Sequence, residues 1–243
     1  MAKSDKLSKS RVPSAATLGD LNAELAARPA ADRVAYAFEH LPETHVLSSS
    51  FGAQAAVLLH MLTAQRPEVP VVLIDTGYLF PETYAFVQRL TERLDLNLEI
   101  FRAARTPAEQ EAAEGRRWEQ GLEGLEAYNL ENKVEPMQRA LSELDAGTWF
   151  TGLRRSQANS RADTAFVSYT GNRFKVAPIA DWSDRDVHDY LKQHQLPYHP
   201  LWDQGYVSIG DVHSTRTLAD AGSEELTRFG GLKRECGLHD RPL

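Results

Sequence analysis

The chain has 243 residues, 42% of them hydrophobic, which suffices for one large α/β domain or two small ones around a proper core. A formal net charge of −7 argues against general affinity for nucleic acid or an anionic membrane, so an anionic ligand must be met by a local basic patch. No apolar stretch approaches the ~20 residues of a membrane span.

The basic, polar start, Met1 to Ser10, has no apolar core behind it; it reads as a disordered tail over residues 1–17, not as a secretory signal. From Leu18 to Leu41, Leu21, Leu25, Val34 and Phe38 recur at helical spacing with a break at Pro29, which predicts two short helices. His45 to Ser48 reads as a strand that runs through Ser49-Ser50-Phe51-Gly52 into a helical stretch, Ala53 to Ala64. Val69 to Asp75 predicts a second strand, covered on both faces at Val71-Val72-Leu73-Ile74. A helix with Pro81 in its first turn and a third strand, Leu96 to Phe101, follow. Strand, helix, strand, helix, strand is the pattern of a parallel sheet with right-handed crossovers. Thr148 to Thr151 predicts a further strand, Phe166 to Ile179 a hairpin around Gly171-Asn172, and Ser183 to Gln195 a helix capped by Ser183. Beyond Pro200 the pattern weakens. The expected organisation is a nucleotide-binding α/β domain over 18–217 and a C-terminal tail over 218–243.

Several segments carry chemistry. Ser48, Ser49, Ser50, Phe51 and Gly52 link a strand to a helix start, where hydroxyls and free N–H groups make an anion cradle; plain N-capping by serine is the alternative. No Gly-Lys-Ser/Thr follows, so it is not a Walker loop. Arg154 and Arg155 follow a strand and a glycine, with Arg161 a little further on; Arg216, Arg234 and Lys133 complete the basic candidates. Arginine forks match phosphate and sulfate oxygens, although any one of these residues taken alone is as well explained as solvated surface. His188, His194 and His199 have no zinc-like spacing and read as structural or surface groups, and Trp182 and Trp202 as packing residues. The single cysteine, Cys236, can make neither an internal disulfide nor a cysteine zinc site. It is either a buried inert thiol or a nucleophile. Lys233, Arg234 and His239 beside it favour the reactive thiolate. One cysteine and no signal fit a reducing cytoplasm.

Taken together, Ser48-Ser49-Ser50-Phe51-Gly52-Ala53-Gln54-Ala55-Ala56-Val57, Ile74-Asp75-Thr76-Gly77-Tyr78-Leu79-Phe80-Pro81-Glu82-Thr83, Lys133-Val134-Glu135-Pro136, Thr151-Gly152-Leu153-Arg154-Arg155-Ser156-Gln157 and Lys233-Arg234-Glu235-Cys236-Gly237-Leu238-His239 resemble the phosphoadenylylsulfate (PAPS) reductases of the sulfonucleotide reductase family. The resemblance implies an adenine nucleotide α-hydrolase-like fold: a mainly parallel twisted sheet flanked by helices, with a mobile C-terminal tail. It implies a catalytic Cys236 that attacks the sulfur of 3′-phosphoadenylyl sulfate, with His239 orienting or stabilising charge. It also implies substrate contacts from Ser48, Ser49, Ser50, Phe51, Gly52, Gln54, Lys133, Arg154, Arg155, Arg161, Arg216 and Arg234, with Asp75 and Thr76 on ribose or adenine. No second thiol exists to resolve the adduct, so thioredoxin or glutaredoxin would do so, and the family works as a homodimer without nucleic acid or membrane.

Departures from relatives refine this expectation. ATP pyrophosphatases of related fold carry an acidic residue where this chain has Gln54, which argues against ATP cleavage. The iron–sulfur branch, which reduces adenylylsulfate (APS), carries cysteines at the places of Tyr128-Asn129 or close by and of Asp211-Val212-His213-Ser214. A cluster needs about four thiolates, and the chain has one, so no iron–sulfur cluster, no metal and no bound cofactor are expected. APS reduction by the same chemistry, a loop-type ATP pyrophosphatase or RNA-thiolating enzyme, and a non-catalytic nucleotide-binding protein are the competing readings.

Overall fold

The computed structural model describes residues 7, 12–232 and 237–238. Helix α1 (Ala15–Ala26) begins ahead of Leu18, inside the stretch expected as tail, because Ser14 caps it by accepting from the Thr17 N–H. Pro29 stands at the N-cap of α2 (Ala30–His40). Arg33 on α2 is buried, yet its guanidinium donates to the carbonyls of Leu25 and Pro178 and to both Asp181 oxygens, and stacks 4.0 Å from the Phe166 ring centre. A buried charge is tolerated when it is partnered this completely.

The alternation read from the sequence then appears: β1 (His45–Ser48), α3 (Ala56–Thr63), β2 (Pro70–Ile74), α4 (Pro81–Leu94) and β3 (Asn97–Phe101). Residues 102–147, for which the sequence offered no predicted element, hold α5 (Pro107–Glu114), α6 (Gly121–Asn129), a π turn (Leu130–Val134) and α7 (Glu135–Glu143). Strand β4 (Thr148–Phe150) precedes a hairpin, β5 (Val167–Thr170) and β6 (Arg173–Val176), that turns at Gly171-Asn172 with both residues at positive φ. Ser183 caps α8 (Asp184–Gln193), with Asp186 completing a capping box.

The six strands lie in the order β3-β2-β1-β4-β6-β5, parallel throughout except for the β5–β6 hairpin. Both faces are covered. Leu47, Val71, Leu73 and Phe150 point into the larger core, which α1, α2, α3, α4 and α8 complete. Val46, Val72 and Trp149, one position off, point to the other face against Met137, Ala140 and Leu141 of α7. A period-2 strand buried on both sides must be apolar at nearly every position, which is how these strands read. The chain leaves β1 toward β2 on one side, while β4 flanks β1 on the other, so the strand order reverses between β1 and β4. Open α/β sheets bind ligands at the carboxyl ends of the strands beside such a reversal.

The segment after Pro200 has little regular structure apart from α9 (Leu218–Ala221), but it is fastened to the sheet domain. Asp211 bridges to Leu79 and Thr215 to Arg228, and Phe229 is buried against Leu125 and Tyr128. The boundary expected between residues 217 and 218 therefore falls inside a packed strip. Leu238 packs against the α7-side core.

His199 pins this segment from within. It is 1% exposed; its Nδ1 accepts from the Leu201 N–H, so Nε2 carries the proton and donates to Thr83 Oγ1. Burial pushes its pKa down to about 4. The folded state therefore holds a neutral imidazole that the unfolded chain protonates below about 6.5, and stability falls as pH drops from there toward 4. Urea denaturation at pH 7 and pH 5 should show a loss of order 1–2 kcal/mol from this residue, and His199→Gln should flatten the slope by that amount. An unchanged slope in the variant would show that the residue does not couple to pH.

Candidate active site

A cavity of about 360 Å³ opens at the carboxyl ends of β1 and β4, the reversal point of the sheet. The loop after β1 forms one wall through Ser48, Ser49, Ser50, Gly52 and Gln54. Internal hydrogen bonds hold its shape. The Ser49 N–H continues the sheet by donating to the Val72 carbonyl at 2.9 Å, and Trp149 Nε1 donates to Ser48 Oγ at 2.7 Å. Phe51, fully buried in the larger core, sits at φ 49° with its N–H on Ser49 Oγ. A non-glycine residue in that left-handed region costs about 1–2 kcal/mol, which the buried ring offsets. Phe51 thus shapes the loop from behind and is not part of the cavity wall. Helix α3 starts at Ala56 with no side-chain cap, so serine N-capping does not describe it; the loop ends at an uncapped, electropositive helix start.

The basic residues divide. Arg154, 3% exposed, lines the cavity and clasps the loop: it donates to Gln54 Oε1, Ser156 Oγ and Asp184 Oδ1. Arg161 lines the cavity and donates to Gln157 Oε1 at 2.6 Å. Lys133 lines it too. Arg155 does not reach it; its guanidinium bonds the Thr164 carbonyl and lies 4.8 Å from the Phe166 ring centre. Arg216 is exposed and off the wall. Arg228, which the sequence did not single out, lies on the wall, and its guanidinium passes so close to Gly210 that a Cβ there would overlap it. Among the described residues the wall then carries four cations, Lys133, Arg154, Arg161 and Arg228, against Asp184, Asp211 and Glu224, the reverse of a chain with 27 basic and 34 acidic residues.

Of the two residues expected to meet ribose or adenine, Thr76 lines the cavity and Asp75 does not. The Asp75 carboxylate is taken up by the Gly77 N–H, Tyr84 Oη and Arg102 Nε at 2.9, 2.7 and 2.9 Å, which makes it the organiser of the turn after β2. Thr76 Oγ1 donates to Asp211 Oδ1 at 2.6 Å. Asp211, 1% exposed, also accepts from Lys133 Nζ at 2.5 Å and Tyr128 Oη at 3.2 Å. Burial pushes its carboxyl up, but Lys133 and Thr76 outweigh that and hold it below the usual range. His213 stacks on Trp118 at 3.9 Å and edges onto Tyr78 and Tyr128; burial pushes it down to about 4, so it is neutral near pH 7. The places of Tyr128, Asn129, Asp211 and His213 are thus filled by packed side chains.

Cys236, His239 and Arg234 lie outside the described residues; Leu238, close after the thiol in sequence, lines the cavity. Among the described residues no group of three or more His, Cys, Asp or Glu is placed to hold a metal ion, and no helix is long and apolar enough to cross a membrane. His188 meets Tyr198 Oη, and His194 packs on His60 and Tyr190, the structural roles expected of them. The spacing of Met137, Ala140, Leu141 and Leu144 and the Thr106/Glu109 capping box are signals that mark α7 and α5. Nothing in the local sequence marks Arg228 or Asp211, which reach the wall only through the path of the irregular segment.

Comparison with known proteins agrees with this architecture. The phosphoadenosine phosphosulfate reductase domain family model matches residues 44–217. A protein of Xanthomonas campestris pv. campestris (strain B100) named phosphoadenosine 5'-phosphosulfate reductase is 60% identical over 228 residues, covering 94% of this chain and 95% of its own. The crystal structure of phosphoadenylyl-sulfate (PAPS) reductase from Candida auris, a phosphate complex, superposes with a TM-score of 0.75 at 29% identity over 85% of this chain and 100% of that one. FMN adenylyltransferase of Candida glabrata shares the fold alone, with a TM-score of 0.55 at 15% identity over 82% of this chain and 70% of that one. With its adenine nucleotide α-hydrolase-like sheet and the cavity at its reversal point, the chain belongs to the phosphoadenosine phosphosulfate reductase family, oxidoreductases of sulfonucleotides.

Proposed function

We propose that the chain reduces 3′-phosphoadenylyl sulfate to sulfite and adenosine 3′,5′-bisphosphate, in sulfate assimilation and cysteine biosynthesis, through an S-sulfocysteine at Cys236 that thioredoxin or glutaredoxin resolves. The observation that carries the reading is that Leu238, close after the sole cysteine, lines the same cavity as Lys133, Arg154, Arg161 and Arg228. The phosphate bound to the Candida auris relative supports an anionic ligand.

In this reading the Cys236 thiolate attacks the sulfonyl sulfur. An S–S bond forms, the S–O bond to the 5′-phosphate breaks, and adenosine 3′,5′-bisphosphate leaves with the electron pair. A thiolate of the dithiol then attacks Cys236 Sγ and sulfite departs. The second thiol of the partner closes its disulfide and returns Cys236, so two electrons pass from the dithiol to sulfur. Lys133, Arg161 and Arg228 neutralise the ligand's charge, Arg154 holds the serine loop against Asp184, and His239 stabilises charge beside the thiolate. The enzyme acts as a homodimer in the cytoplasm.

Incubation with PAPS and no reductant should add one SO₃ group at Cys236, found by intact mass and peptide mapping. Cys236→Ser should show no adduct and less than about a thousandth of the sulfite formation, while still binding nucleotide. An unmodified parent that yields sulfite once thioredoxin is added would mean that the dithiol attacks the nucleotide directly.

PAPS should outperform APS in kcat/KM by ten- to a hundredfold, the worth of one charge-assisted contact of roughly 1.5–3 kcal/mol. Equal rates with the two nucleotides would leave the 3′-phosphate unread.

Titration with adenosine 3′,5′-bisphosphate should show Arg161→Ala and Arg228→Ala weakened about tenfold or more, and Arg216→Ala, off the wall, unchanged. If all three bind like the parent, the wall cations do not hold the ligand.

A further inference from the structure

The cavity's most deeply buried charge is an acid, an odd group to find beside a site for an anion. We infer that Asp211 is a positioning residue: it holds the Lys133 ammonium aimed at the substrate's anionic groups, and the π turn Leu130–Val134 supplies the register that brings the two together. The inference rests on the proposed reading of the cavity as the sulfonucleotide site.

Both Asp211 oxygens are engaged, Oδ1 by Thr76 Oγ1 and Oδ2 by Lys133 Nζ and Tyr128 Oη, so the carboxylate has little capacity left to repel or bind a ligand. Its backbone is equally fixed: the carbonyl accepts from the Ser214 N–H and from Thr215 Oγ1 at 2.8 Å, and the residue bridges to Leu79. Lys133 stands 5.6 Å from the Tyr128 ring centre and 5.2 Å from that of Phe229, with a side chain 8% exposed. An ammonium has three N–H donors. Asp211 takes one, and Lys133 belongs to the cavity wall.

The turn that carries Lys133 is built to hold it there. The Glu135 N–H reaches back to the Leu130 carbonyl, a wide turn that inserts a residue into the helix. Its neighbours are locked on either side. Glu131 binds Arg105 and Arg117 at 2.7 and 2.8 Å, and Asn132, fully buried, exchanges hydrogen bonds with Gln110 and donates to the Tyr128 carbonyl. With 131 and 132 committed to α5 and to the arginines, 133 is directed at the cavity. Among the described residues, the charged and titratable groups that face Asp211 are Lys133 and Tyr128 from the α6–π-turn segment, Tyr84 from α4 and His213 from its own segment; Arg228 and Glu111 in turn act on His213, and Tyr78 packs on it.

The test is a double-mutant cycle in the full chain carrying Cys236→Ser, so that PAPS binds without turnover. Calorimetry compares this parent with Asp211→Asn, Lys133→Met, the pair together and Asp211→Glu. Lys133→Met should weaken PAPS about tenfold or more. Asp211→Asn should weaken it by a similar factor, and the pair should be no weaker than Lys133→Met within about threefold, because the acid acts through the lysine. Asp211→Glu keeps the charge but displaces it, and should weaken binding only several-fold, recovering part of what Asp211→Asn loses; it serves if the asparagine variant does not fold. Additive losses, or Asp211→Asn and Asp211→Glu binding like the parent while Lys133→Met is weak, would overturn the inference and leave the proposed site intact. Lys133→Met binding like the parent would remove the lysine from the proposed site itself.

Discussion

The chemistry of this chain is confined to strand ends because β1, β2 and β4 are covered on both faces. Val46 and Leu47, Val71 and Val72, and Trp149 and Phe150 each send one side chain to the α7 side and the next to the opposite core. A polar group inside such a sheet would lose its water without gaining partners, at a cost of roughly 1–3 kcal/mol each. Serines, threonine and arginine can enter only where the strands stop, and the reversal of strand order between β1 and β4 leaves a crevice at that level. The cavity and the serine loop follow from that exclusion.

The same logic explains what could be read in advance. β1, β2, the Pro81 helix and the Gly171-Asn172 hairpin were legible because each carries its own local signal: an apolar run, a first-turn proline, two residues suited to positive φ. Ser48, Ser49, Ser50, Gly52, Gln54, Thr76, Lys133, Arg154 and Arg161 adjoin those elements or sit in a recognisable motif, and all line the cavity. Asp75 and Arg155 were legible as residues but not as directions. Each sits beside a true wall residue, and which neighbour faces the cavity is decided by Tyr84 and Arg102 in one case and by Thr164 and Phe166 in the other. Asp211 and Arg228 were illegible because nothing regular surrounds them; their places depend on long-range bridges to Leu79 and Thr215.

The nest around His213 shows how a fold keeps a polar side chain dry. Trp118, Tyr78 and Tyr128 enclose the imidazole, and burial keeps it neutral even though Asp211 lies 3.9 Å away. A charged imidazole there would compete with Lys133 for the same carboxylate. Aromatic enclosure therefore leaves the ion pair of Lys133 and Asp211 undivided.

Phe51 has a consequence for how ligands are met. Its ring is sunk in the larger core and its backbone is held left-handed, so the serine loop owes its conformation to the hydrophobic interior and not to whatever occupies the cavity. The entropy of arranging that loop is spent when the protein folds, and an incoming anion encounters hydroxyls and amides already in place. Affinity and core integrity are in that sense one property: a loosened core around Phe51 would blur the cradle even in a chain that remained folded.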